Sequence, residues 1–153
     1  MTPDGIYKVK IANTRRIVTP VRVLNIASGR EEVVSGLWDT GAEVSAVSRS
    51  LCGELDFPVN KQMVVNGFAG KVETKAVMAM TFPGDDEYAV VVQAVEAECI
   101  YEGIDFVIGM DIIEKGEFSL SREDGDLMLT FKFGELFTRL KSEWIIGHRE
   151  NRK

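Results

Sequence analysis

Asp39 closes the apolar run Val33-Val34-Ser35-Gly36-Leu37-Trp38 and is followed by Thr40-Gly41-Ala42, then Val44-Ser45-Ala46-Val47-Ser48. An apolar strand ending in a carboxylate, then a hydroxyl residue, a glycine and a small residue, describes a tight turn that presents the acid and buries its flanks. A carboxylate held in this way can act on water as a general acid or base. The most effective such arrangement is a pair of carboxyl groups sharing one proton, because two of them at close range cannot both ionise. Asp-Thr-Gly occurs once in the chain. A partner acid of the same kind therefore comes from a second copy of the chain or not at all.

Other routes to chemistry lack their parts. His148 is the sole histidine and lies in a polar tail, so a Ser-His-Asp or Cys-His mechanism has no base, and Ser45 and Cys52 lose any role as nucleophile. Cys52 and Cys99 lie far apart without histidine neighbours, which indicates buried thiols rather than a zinc site or a disulfide scaffold. Asp111, in Gly109-Met110-Asp111, reads as a helix cap rather than a second catalytic acid. The acidic clusters Asp85-Asp86-Glu87 and Glu123-Asp124-Gly125-Asp126 lack the ligand order of a calcium loop and read as solvated turns. Met78, Met80 and Met128 fall in strand patterns, where core packing is their default. No metal or organic cofactor is implied.

At 153 residues and 45% hydrophobic content, the chain suits one compact domain with a real core, spanning 1–153. A net charge of −6 argues against nucleic-acid binding, which depends on dense Lys and Arg. Arg15-Arg16 and the basic residues near the C-terminus are too sparse to reverse this. No apolar run approaches the ~20 residues that cross a bilayer, and Met1-Thr2-Pro3-Asp4-Gly5 lacks the order of a signal peptide. A soluble cytoplasmic protein without membrane contact is the expectation.

The elements that must position Asp39 are mostly strands. Tyr7, Val9 and Ile11 alternate with lysines, and Val21 and Val23 with their neighbours Leu24 and Ile26 form a second run that turns at Ala27-Ser28-Gly29-Arg30. Ser48 to Leu55 predicts a short helix capped by Ser48 and ending before Pro58. Gln62–Val65, the glycine-rich Asn66-Gly67-Phe68-Ala69-Gly70 and Lys71–Phe82 predict a long hairpin. Pro83-Gly84-Asp85-Asp86 is a turn before the apolar strand Tyr88–Val95. Phe106-Val107-Ile108 is a buried strand ending at Gly109, with a helical turn over Met110–Lys115. Phe118–Leu120 and Leu127–Phe131 pair around the acidic turn between them. Leu136, Leu140 and Trp144 recur every four residues over Glu135–Ile146, which predicts an amphipathic helix.

The strings LWDTGAEVSAVS, NGFAGK and DFVIGMDII, in that order, resemble the retropepsin-like aspartic proteases, the single-domain retroviral type with cellular and bacterial relatives. The resemblance spans about 17–133, leaving 1–16 as an N-terminal strand extension and 134–153 as a C-terminal helical tail. It implies an all-β, closed barrel-like domain with one or two short helices and a possible C-terminal amphipathic helix. It further implies a homodimer in which Asp39 of each copy activates water to hydrolyse extended polypeptides. Thr40 then ties the two turns together, and Gly41 brings its backbone close to the carboxylate. Ala42, Glu43, Gly67, Phe68, Ala69, Gly70 and Ile108 are the residues assigned to substrate, Gly67–Gly70 as a flap tip. Ile108 also stands with Gly109 in the apolar-apolar-Gly element that passes behind the active turn. The alternatives are a catalytically silent module of this fold that binds peptides or dimerises, and a small β-barrel in which Asp39 only caps a turn.

Overall fold

In the computed structural model of the protein, residues 5–12, 14–57, 61–67, 70–98 and 101–140 are described. They run in order through β1 (Ile6–Lys10), β2 (Val18–Leu24), β3 (Glu31–Trp38), β4 (Ala46–Ser48), α1 (Arg49–Glu54), β5 (Lys61–Gly67) and β6 (Gly70–Pro83). There follow β7 (Tyr88–Ala97), β8 (Phe106–Ile108), α2 (Met110–Ile113), β9 (Gly116–Glu123), β10 (Asp126–Phe133) and β11 (Thr138–Arg139). Among the described residues the fold is all-β with two short helices, as the alternating pattern predicts.

Strand pairing closes a barrel. In the larger sheet β7, β4, β8, β3, β2 and β6 are successive neighbours, and β6 pairs back onto β7 from Ala76↔Val95 to Thr81↔Val90. Inside it lie Val21, Val23, Val77, Ala79, Val90, Val92, Ala94, Phe106 and Ile108, the inward members of strands whose alternate residues face out. Each large apolar side chain so buried contributes about 1.5–3 kcal/mol. The N-terminal strand, expected as an extension, joins a sheet: β1 pairs with β10, and β10 with β9, in a separate three-stranded sheet. Trp38 joins the two sheets, its ring 5.1 Å from that of Phe131 and 5.7 Å from that of Phe118.

The local signals act as their chemistry requires. Ser48 caps α1, its hydroxyl accepting the Leu51 N–H at 3.1 Å, a contact worth about 1 kcal/mol. Asn25, buried in the β2–β3 turn, donates to the carbonyls of Leu55 and Asp56 at 2.9 and 3.0 Å. It thereby satisfies the exposed carbonyl end of α1.

The C-terminal expectation is corrected in its described part. Residues 135–140 are not helical: Thr138 and Arg139 form β11 and pair antiparallel with Ala89 and Tyr88. The cause is Phe137, which enters the core edge-on to Phe133 and Phe131 at 5.0 and 5.8 Å, while Leu136 is left 68% exposed. Gly134 makes the bend possible, because a Cβ there would lie 2.1 Å from the Lys115 carbonyl oxygen. Apolar residues four apart fit a turn entering a strand as well as a helix. The remainder of that predicted helix lies outside the described residues, as do Phe68 and Ala69. No helix among the described residues is long and apolar enough to cross a membrane.

Candidate active site

β3 and β8 run parallel as neighbours, with Trp38 opposite Ile108. The chain leaves β3 at Asp39, and the pairing is extended by one more bond, the Asp39 N–H donating to the Ile108 carbonyl at 2.9 Å. The turn then closes on itself, the Ala42 N–H donating to the Asp39 carbonyl at 3.2 Å. Within it the Gly41 N–H donates to Asp39 Oδ1 at 2.9 Å. One carboxylate oxygen is thus fixed by the backbone, which leaves Oδ2 as the oxygen without that constraint.

The turn is held from behind by close backbone approach. The Met110 N–H donates to the Ala42 carbonyl at 2.7 Å. A Cβ on Gly109 would lie 2.8 Å from the carbonyl carbon and oxygen of Val44 and 2.9 Å from the Ala42 oxygen. Those are backbone atoms and cannot swing aside, so only glycine permits this approach. The Gly109 N–H in turn donates to Ser45 Oγ at 3.0 Å.

Ser45 is the hub of this contact. Its hydroxyl donates to Asp111 Oδ1 at 2.7 Å and its N–H to Asp111 Oδ2 at 3.0 Å. Its carbonyl accepts the Val95 N–H at 3.0 Å. The expectation that Asp111 caps a helix is therefore corrected: Gly109 holds the cap position of α2 without a side-chain bond, and Asp111, in the first turn, reaches across to Ser45. A buried hydroxyl and N–H facing that carboxylate make the cross-strand bond worth more than a local one. A second serine repeats the device one step along, Ser48 Oγ donating to Asp105 Oδ1 at 2.7 Å. On the other side the indole N–H of Trp38, next to Asp39, donates to the buried Thr19 Oγ1 at 2.9 Å. Sequence reasoning missed Ser45, Asp105 and Thr19 as positioning groups. Their one signal is a polar residue inside an otherwise apolar run.

Of the residues singled out from the sequence, Asp39 and Ala42 are half-buried and Thr40, Gly41 and Glu43 exposed, all on one turn. Ile108 is fully buried beneath it and meets the turn through its carbonyl. Gly67 and Gly70 pair at the far end of the β5–β6 hairpin. Beyond Ala76, which still pairs with Val95 of β7, the described part of that ribbon is two-stranded from Gln62↔Lys75 outward. The Cys52 thiol is pushed up to about 12, first by burial and then by the charge of Glu96, so it stays neutral and is a poor nucleophile. No group of three or more His, Cys, Asp or Glu among the described residues is placed to hold a metal ion.

No protein-family model matches the chain, and no curated protein matches it by sequence. Solved structures do. The chain is similar to a retropepsin-like aspartic protease from Rickettsia conorii, with a TM-score of 0.54 and 14% identity over 86% of this chain and 96% of that one. It is also similar to the EIAV protease in complex with an inhibitor, with a TM-score of 0.50 and 19% identity over 69% of this chain and 92% of that one. The fold is retropepsin-like.

Proposed function

We propose that the protein is an aspartic endopeptidase that works as a homodimer on extended polypeptides. The observation that carries this reading is the Asp39 carboxylate, held by the Gly41 N–H on a turn backed by Gly109, in a retropepsin-like fold. One such turn supplies one carboxyl group, and a two-fold axis supplies the second. At close range the pair shares a proton. The ionised Asp39 takes a proton from a water lying between the two as the water oxygen bonds to the scissile carbonyl carbon. The protonated Asp39 of the other copy hydrogen-bonds the carbonyl oxygen as it gains charge. Collapse of the tetrahedral adduct breaks the C–N bond, and a carboxyl proton passes to the leaving amine, restoring the shared proton.

Thr40 links the two turns through its hydroxyl, Ala42 gives clearance to the peptide, and Glu43 contacts its backbone. Gly67 to Gly70, with Phe68 and Ala69 at the tip, form a flap that admits the substrate and then shields it from water. Ile108 and Gly109 serve from behind rather than touching substrate. The whole of 1–153 acts as a single domain, cytoplasmic, with no nucleic-acid or membrane partner.

The test is digestion of a peptide library by the wild type with and without a statine-type transition-state mimic, and by Asp39→Asn. Cleavage that the mimic blocks and that falls by roughly four orders of magnitude in Asp39→Asn, with the dimer intact on sedimentation, is the expected result. A full-rate Asp39→Asn protein would overturn the mechanism. A dimer that binds peptides without cutting them would support the silent module instead.

A further inference from the structure

Residues 1–16 lie outside the family resemblance, yet one of them reaches the Asp39 turn. Tyr7 sits in the middle of β1 and packs against the barrel core. Across the sheet it opposes Phe131 of β10. Its ring also fills the space left by Gly84 in the β6–β7 turn, where a Cβ would lie 2.5 to 2.8 Å from three ring carbons. Arg22 braces that turn, its Nε donating to Asp85 Oδ1 at 2.7 Å. A ring packed this closely has little freedom to move.

At the tip of the ring, the hydroxyls of Tyr7 and Thr19 are hydrogen-bonded to each other. Thr19 is 3% exposed, and its Oγ1 also accepts the indole N–H of Trp38 at 2.9 Å. Burial pushes the Tyr7 hydroxyl up, Thr19 opposes the rise, and the charges of Asp86 and Asp85 add to it, so the hydroxyl keeps its proton. Trp38 is gripped a second time by Phe131, the cross-strand neighbour of Tyr7. Both contacts lead from β1 to the residue that precedes Asp39. The peptide bond between Trp38 and Asp39 is planar and stiff. A turn of Trp38 would tilt the Asp39 N–H away from the Ile108 carbonyl and the carboxylate away from the Gly41 N–H, each now at 2.9 Å. Such bonds weaken steeply as they bend.

We propose that Tyr7 is a positioning residue for the Asp39 carboxylate, acting through Thr19 and Trp38 from a strand that belongs to the other sheet. Its effect on turnover rests on the proposed protease activity. Its effect on the orientation of Asp39 does not.

The Gly41 amide proton reports the bond to Asp39 directly, so amide NMR on the full chain tests the proposal, with Asp39→Ala as the reference for loss of that bond. Tyr7→Phe keeps the ring and removes the hydroxyl. It should move the Gly41 signal part of the way to its Asp39→Ala position, speed its exchange with solvent severalfold and shift the Trp38 indole signal. The Gly109 amide, bonded to Ser45 behind the turn, should stay in place. Thr19→Val should act alike, and the double variant should go little further, because both substitutions break one chain of contacts. In peptide cleavage Tyr7→Phe should lower kcat severalfold at unchanged KM. A Gly41 signal unmoved in Tyr7→Phe would overturn the proposal whether or not peptides are cut, and so would additive effects of the two substitutions. A moved Gly41 signal in a protein that cuts no peptide would support the positioning and sink only the protease reading. Should Thr19→Val fail to fold, Thr19→Ser decides: with its hydroxyl retained, the Gly41 signal should stay at the wild-type position. A shift there as large as that of Tyr7→Phe would assign the effect to packing and refute the proposal.

Discussion

The Asp39 turn and the β5–β6 hairpin lie on the same sheet but are held in opposite ways. The turn receives bonds from β8, from the start of α2 and through Ser45 from β7 and Asp111, so moving it means breaking several buried contacts at once. The outer hairpin is held by its own two-stranded ladder, and a two-stranded ribbon alone is marginally stable in water. Under the proposed protease activity, the difference would separate two demands, to fix a catalytic group and to admit a polymer. On that reading orientation falls where backbone contact is densest, and opening where it is thinnest.

Substitutions at the two regions should therefore differ in kind. The largest effect is expected at Gly109→Ala, where a methyl group would collide with the backbone of Ala42 and Val44. A loss of about 2–4 kcal/mol in urea denaturation, together with loss of cleavage, is the expected outcome. A variant as stable as the wild type would show that the floor yields, and would remove the contrast. Asp111→Ala comes next, since it leaves the Ser45 N–H and hydroxyl without their acceptor. A cost of about 1–3 kcal/mol and slower turnover are expected, with Asp111→Asn intermediate because its amide retains one acceptor oxygen.

At the hairpin the order reverses. Replacing Gly67 and Gly70 together by alanine should change stability by within about 0.5 kcal/mol, yet slow cleavage of long peptides more than of short ones. A large stability loss there would mean that the hairpin is part of the rigid body. The smallest effect concerns Cys52, buried in α1. In a Cys99→Ser background its thiol should resist a disulfide reagent at pH 8 while folded and react at once when unfolded. With the folded thiol raised to about 12 against an ordinary value near 8.5, thiolate is scarce at that pH only in the native state.

Much of this organisation is legible in the sequence because it is local. The Asp-Thr-Gly turn, the hairpin turns around Gly29 and Gly125, and the Ser48 cap are each set by residues within a few positions of one another. What escapes is what the closure of the barrel brings together. Ser45 and Asp111 are 66 positions apart, and nothing short of the β3–β8 and β4–β8 pairings says that they meet. Leu136 and Leu140 mislead for another reason: their spacing fits a helix, but Phe137 between them has a core site to fill and Gly134 lets the chain turn into it. The second Asp39 of the proposed dimer is beyond any single chain, whose sequence could show only half of such a site.

Subunit mixing tests that missing half most directly. Wild type and Asp39→Asn are combined at fixed total concentration, allowed to exchange, and assayed for peptide cleavage. If two Asp39 carboxylates act together, activity follows the square of the wild-type fraction, and an equal mixture retains about a quarter of the wild-type rate. Activity proportional to the wild-type fraction would show that one Asp39 suffices and would contradict the paired-acid account.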